Sequence, residues 1–240
     1  MSRGAGPSFP RTSYASQGAV GLDFEPTVAV NLEEETRVAI VGHSQVRRLA
    51  WVDFGPVRYR SAAGEKKFRF SFFPAPGATV QSLKTTSAWQ QAVLYRAAIT
   101  FLHIGSNDIV SGKVPRTYAE DITKLACELE EESGSFVKIV PLEARLEPRG
   151  LPEDEYYRII GSVNRILRSS SATKHRFVGI PSKREDISVD GVHYTNEAAL
   201  KKLQYLSVIA TKHLMRDAEE VKVIRTTRPR IDHSRPNTGI

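Results

Sequence analysis

Residues 38–51 read VAIVGHSQVRRLAW, and their order decides the fold. Val38 to Val41 form an unbroken apolar run of the kind a buried strand needs. Gly42, His43 and Ser44 interrupt it, and Val46, Leu49, Ala50 and Trp51 then return at helix-like spacing. A strand-to-helix turn of this sort sets its small residues at the carboxyl end of a sheet, where open α/β folds bind ligands. Ser44 in that turn fits two roles. It is either a helix N-cap, which serine favours whatever the function, or a nucleophile.

The same alternation of short apolar runs and amphipathic segments continues outward. Candidate strands cover 37–41 (RVAIV), 66–73 (KKFRFSFF), 99–104 (ITFLHI), 136–140 (FVKIV) and 177–180 (FVGI). Helical segments fall between most of them. Thr117 and Glu120 have capping-box spacing ahead of Tyr118, Ile122, Leu125 and Leu129, with Gly134 just beyond. Pro152 and the acidic run Glu153 to Glu155 open a second helix, carrying Tyr156, Ile160, Val163 and Leu167 on one stripe. A last helix starts near Asn196, with Ala199, Leu203, Leu206, Ala210 and Leu214 three or four residues apart. Strands separated by helices pair in parallel, which predicts a three-layer α/β/α sandwich. No internal repeat is visible.

Composition bounds the rest. The 240 residues, 40% of them apolar, suit one domain with a full core. The reading is a Gly-, Pro- and Ser-rich arm over 1–35, a core domain over 36–217, and a basic, disordered tail over 218–240. Net charge is +7 and the pI near 9.5. The balance permits a nucleic-acid partner through the basic surface or the tail residues Arg225, Arg228, Arg230 and Arg235, although a solvated end is the commoner reason for such a run. KKFRFSFF could stack bases, but an outer strand with one wet face is the preferred reading. The single Cys127 excludes an intrachain disulfide and reads as an inert core thiol on an amphipathic helix. No apolar leader or membrane-length run is seen, so the expectation is an intracellular protein, cytoplasmic or nuclear, without a signal peptide.

Four loops then collect at one sheet edge. They offer Gly42-His43-Ser44, the PAPGAT loop around Gly77, Gly105-Ser106-Asn107-Asp108, and Asp190-Gly191-Val192-His193 before the last helix. A hydroxyl, a glycine N–H, a side-chain amide, and an acid three residues from an imidazole make up the inventory for acyl transfer from an oxygen ester. A base must take the hydroxyl proton, an acid must orient the base, and donors must hold the oxyanion.

The set GHS…G…GSND…DGVH resembles the SGNH (GDSL) hydrolases, in block order and over residues 37–215. The resemblance implies a doubly wound, five-stranded parallel sheet of flavodoxin-like type. Carried over by position, Ser44 is the nucleophile and its N–H the first oxyanion donor. Gly77 gives the second donor and the Asn107 amide the third, while Asp190 and His193 are acid and base. Gly42, His43, Gly105 and Asp108 support these groups. The chain departs from the family at His43, where aspartate is usual. The run VGHSQVRRL also resembles hydrolase-like domains carried by some retroelement proteins.

The resemblance implies a serine esterase for small O-acyl esters, acetyl or lipid-like, needing no cofactor and no metal. A different class stays open: a catalytically weak or inactive binding module of the same fold, associated with nucleic acid. Asn107 could instead be a turn residue, Asp190-Gly191 an ordinary turn, and His193 a surface histidine. Asp186 competes with Asp190 at a less natural spacing to His193. Neither a GxSxG elbow nor a phosphate-binding glycine loop is present.

Overall fold

A computed structural model of the chain describes residues 35–61, 64–110, 113–143, 145, 146, 148, 150–180 and 183–215. The expected tail, and the expected arm up to residue 34, lie outside the described residues. The opening run becomes β1 (Thr36–Gly42) and α1 (Ser44–Ala50). Then follow β2 (Val57–Ser61), β3 (Gly64–Pro74), α2 (Val80–Leu83), α3 (Ser87–Tyr95) and β4 (Ile99–His103). The chain continues through α4 (Pro115–Ser133), β5 (Phe136–Ile139), α5 (Glu153–Ser169), a 3-10 turn at Arg184–Asp186, and α6 (Asn196–Leu214).

The sheet order is β2-β3-β1-β4-β5. β1 lies centrally, parallel to both β3 and β4, and β4 is parallel to β5. This is the expected α/β sandwich with a mostly parallel five-stranded sheet. Two strands differ from the reading. The fifth strand is β2, which forms an antiparallel hairpin with β3 at the edge. Its Val57 and Tyr59 are buried while Arg58 and Arg60 are exposed, the two-residue period of a half-covered strand. Residues 177–180 make only one bridge, between Ile139 and Phe177. Beyond it, Ile180 N–H donates back to Val178 O (3.1 Å), a tight turn that takes the chain off the sheet.

Side chains alternate across the sheet and build two cores. Val41 and Leu102 face α2 to α5 with Leu83, Trp89, Ile122, Leu129 and Val163. Val38, Ile40, Ile99 and Phe101 face α1 and α6 with Val46, Leu49, Leu203 and Leu206. Each large apolar side chain buried this way contributes about 1.5–3 kcal/mol against conformational entropy. KKFRFSFF sits in β3, one strand in from the edge rather than at it. Phe68, Phe70 and Phe72 alternate onto the α1/α6 face, and Phe68 meets Phe70 edge-on with centroids 5.6 Å apart. Those rings are spent on packing.

Helix ends follow local chemistry. α4 starts at Pro115, earlier than the capping-box reading. Its cap, Val114, is a hydrocarbon side chain that can make no capping hydrogen bond, and the fixed φ of Pro115 opens the helix instead. Thr117 therefore lies inside the first turn. Gly134 ends α4 at φ 71°, as its position suggested. Cys127 is exposed rather than a core thiol, since α4 turns Leu125, Ala126 and Leu129 inward and leaves position 127 outside. Among the described residues no helix is long and apolar enough to cross a membrane.

Candidate active site

The strands end where the quoted loops begin, so chain direction alone gathers most of the site. Gly42 has φ 151°, and a Cβ there would sit 1.8 Å from His103 O. Only glycine lets β1 approach β4 so closely just before the turn. His43 N–H donates to His103 O (3.1 Å), continuing the pairing one residue past the strand.

The N-cap of α1 is His43, not Ser44. Gln45 N–H donates to His43 Nδ1 (3.4 Å), and Ser44 is the first helical residue. Ser44 is half-buried, and its Oγ makes no hydrogen bond among the described residues. The capping reading of Ser44 is thereby removed, and its hydroxyl is uncommitted. Burial, aided by Arg145 and His193 nearby, lowers the His43 pKa to about 3, so this imidazole is neutral.

Asp190 and His193 meet. Asp190 Oδ2 lies 2.8 Å from His193 Nδ1, while Oδ1 accepts from His193 N–H (2.8 Å), Val192 N–H (2.9 Å) and the Ser188 hydroxyl (2.8 Å). Partial burial works against ionisation here, but these hydrogen bonds outweigh it and hold the carboxyl well below the usual range. A permanent carboxylate on Nδ1 fixes the tautomer with Nε2 as the acceptor. That Nε2 is buried and makes no hydrogen bond among the described residues. Asp186 does other work, accepting from Lys183 N–H (2.8 Å) to close the 3-10 turn. The contact between Ser44 and His193 is not closed, although the loop carrying His193 is tied to α1. Catalytic hydrogen bonds often tighten only in the substrate complex.

Two of the three oxyanion candidates, Gly77 and Asn107, converge from the opposite face of the sheet. Asn107 Nδ2 donates to Ala78 O (2.8 Å), and Arg145 donates to Asn107 Oδ1. Both contacts orient the amide and leave one of its two N–H groups unspent. Ala78 follows Gly77, so the Gly77 loop and Asn107 are held together. Gly77 adopts φ 78°, and its N–H, like that of Ser44, donates to no protein group among the described residues. Asp108 braces the same junction, since both its carboxylate oxygens accept from Val80 N–H at the start of α2 (3.0 and 3.1 Å). Burial raises the Asp108 pKa to about 6, against the pull of that N–H and of Lys113. A Cβ on Gly105 (φ 108°) would press on Ile122 at 2.8 Å, so glycine lets this loop lie flat on α4.

Beneath the site lies a buried polar layer that pattern reading did not single out. Lys202 Nζ pairs with Glu143 Oε1 at 2.5 Å, both side chains buried. The rings of His43 and His103 lie 4.8 Å apart, and His103 stacks on Tyr194 at 6.2 Å. The sequence held a signal for part of this. Lys202 shares the buried stripe of Ala199, Leu203 and Leu206, and Gln45 that of Val46 and Leu49. A polar residue on an apolar stripe needs a buried partner. Arg145 had no such signal, because it lies in an irregular segment. Among the described residues no three His, Cys, Asp or Glu side chains gather as a metal site.

Comparison with family models returns no match, and none of the curated proteins matches either. Solved structures do match. The chain is similar to a member of the lipolytic G-D-S-L family from Veillonella parvula, with 18% identity and a TM-score of 0.50, covering 73% of this chain and 97% of that one. It is also similar to TesA (18%, TM-score 0.45, 74% and 98%). A third is a catalytic mutant of Axe2, an acetylxylan esterase from Geobacillus stearothermophilus (14%, TM-score 0.47, 76% and 96%). The chain thus has the α/β/α fold of the G-D-S-L, or SGNH, hydrolases.

Proposed function

We propose that the chain is a serine hydrolase that cleaves small O-acyl esters. One observation carries this reading: the Asp190–His193 pair at 2.8 Å presents a buried, uncommitted Nε2 from a loop tied to the helix that Ser44 begins. His193 Nε2 takes the Ser44 proton as Oγ bonds to the acyl carbon, and Asp190 stabilises the imidazolium that forms. The carbonyl oxygen becomes an oxyanion facing the N–H groups of Ser44 and Gly77 and the free amide N–H of Asn107. The imidazolium then protonates the leaving alkoxide as the ester C–O bond breaks. Water, deprotonated by the same Nε2, attacks the acyl-serine, and the carboxylic acid leaves with Ser44 restored.

A fluorophosphonate probe tests the reading. Labelling confined to Ser44, lost in Ser44→Ala, is the expected result. A folded protein that takes no label removes the hydrolase reading. The net charge of +7 favours a second reading, a nucleic-acid-binding module on this fold. Salt-dependent binding that survives Ser44→Ala, in a protein that does not label, would establish it.

A further inference from the structure

Gln45 is the residue after Ser44, and it is buried at 3% exposure, unusual for a side chain with two polar groups. Both groups are committed to one peptide segment. Its Nε2 donates to Val192 O (2.5 Å), and its Oε1 accepts from Tyr194 N–H (3.2 Å). Those are the two peptide groups flanking His193, so a single amide grips the base from both sides, as a neighbouring strand would. One turn further along α1, Arg48 Nε donates to Tyr194 O (2.9 Å), and its guanidinium packs over the Trp51 ring at 5.4 Å. Three hydrogen bonds from α1 thus fix the backbone of the His193 loop. Asp190 sets the imidazole tautomer, but it moves with the loop and cannot fix where the loop lies.

We infer that Gln45 and Arg48 are positioning residues that set His193 against Ser44. This rests on the esterase reading above. Nucleophile and clamp share one rigid helix, so Gln45 and Arg48 tie the position of the base directly to that of Ser44. Glutamine supplies a donor and an acceptor together. Glutamate in its place would keep the acceptor for Tyr194 N–H but set a carboxylate against the Val192 carbonyl. Leucine would keep the volume and remove both bonds. Misplacing a catalytic group by about 1 Å costs on the order of 10² in rate.

The test compares the wild type with Gln45→Leu, Gln45→Glu and Arg48→Ala, reading kcat and KM on a p-nitrophenyl acetate substrate and the rate of fluorophosphonate labelling at Ser44. The expected result is a kcat and labelling rate about 10- to 100-fold lower in the Gln45 variants, with KM within about two-fold, and a smaller loss in Arg48→Ala. A purely structural role would lower the active fraction without slowing labelling of the folded molecules. If the Gln45 variants do not fold, the half-buried Arg48 carries the test. A wild type that labels while the folded variants label equally fast overturns the clamp and leaves the esterase reading standing. A wild type that does not label overturns both.

Discussion

The two faces of the sheet divide the labour differently. The α2–α5 face supplies two of the three oxyanion candidates, Gly77 and Asn107, above a core of Ile122, Leu125, Leu129 and Val163 whose buried polar neighbours Thr100 and Ser133 are hydroxyls. The α1/α6 face supplies Ser44, Asp190 and His193. Beneath them it buries His43, His103, Glu143, Lys202 and Gln45, groups costly to desolvate. The two candidates on the α2–α5 face are a backbone N–H and a side-chain amide, which a rigid packed scaffold can hold directly. The candidate base, His193, sits on an irregular loop that lacks a strand of its own, so side chains hold it. The buried amide, imidazole and charged side chains gather on the face where regular structure does not hold the candidate site.

That comparison can be broken at its strongest point first. Asp190→Asn keeps the shape of the carboxyl but loses the charge that fixes the tautomer, and is expected to lower kcat by about 10⁴. Steady-state kinetics at pH 7 check it, and undiminished turnover would take Asp190 and His193 out of the site. Next, Lys202→Met strands a buried carboxylate and is expected to cost about 3–5 kcal/mol of unfolding free energy. Denaturant titration measures this, and adding Glu143→Leu should recover most of the loss. A negligible single-variant effect would mean that the polar layer under the base is not needed for stability.

On the opposite face, Asn107→Ala removes one proposed oxyanion donor and is expected to lower kcat by about 10²–10³ with the fold intact, read by kinetics alongside circular dichroism. The smallest effect concerns Asp108. Its carboxyl titrates near pH 3.8 unfolded and at about 6 folded. Between those values the folded state binds the extra proton, so stability falls as pH rises through that window and is level above it. Asp108→Asn removes that slope, which melting temperatures from pH 3.5 to 7 would show. An unchanged slope would mean that Asp108 is not the buried acid responsible.

Much of this architecture was legible because periodicity records burial. The run Val38–Val41 gave the central strand, and the spacing of Ala199, Leu203, Leu206 and Ala210 gave α6. β2 escaped, although Val57-Arg58-Tyr59-Arg60 alternates, because five residues with two arginines look like a loop. The segment 177–180 misled in the other direction, since an apolar tetrad is compatible with a strand without requiring a ladder. In the site, block order brought forward Asp190 and His193, which the structure joins, but it could not show the cap moving from Ser44 to His43. A histidine accepting from the helix N–H is a packing outcome of burial against His103. Arg145 and Glu143 depend on contacts between distant segments, which local pattern does not encode, whereas Lys202 was marked only by its place on an apolar stripe.

The hairpin of β2 and β3 has a last consequence, colloidal rather than catalytic. An open sheet presents unpaired peptide groups at its margins, where a strand from another molecule can dock and ordered aggregates can start. Here one margin ends in β2, with Arg58 and Arg60 exposed and Arg58 held by Glu65 at 3.3 Å. At the other, Ile139 is already bonded to Arg176 O (2.9 Å) and Val178 N–H (3.0 Å), and Lys138 reaches His175 O (2.5 Å). Charge discourages strand addition at the first margin and the chain's own backbone obstructs it at the second.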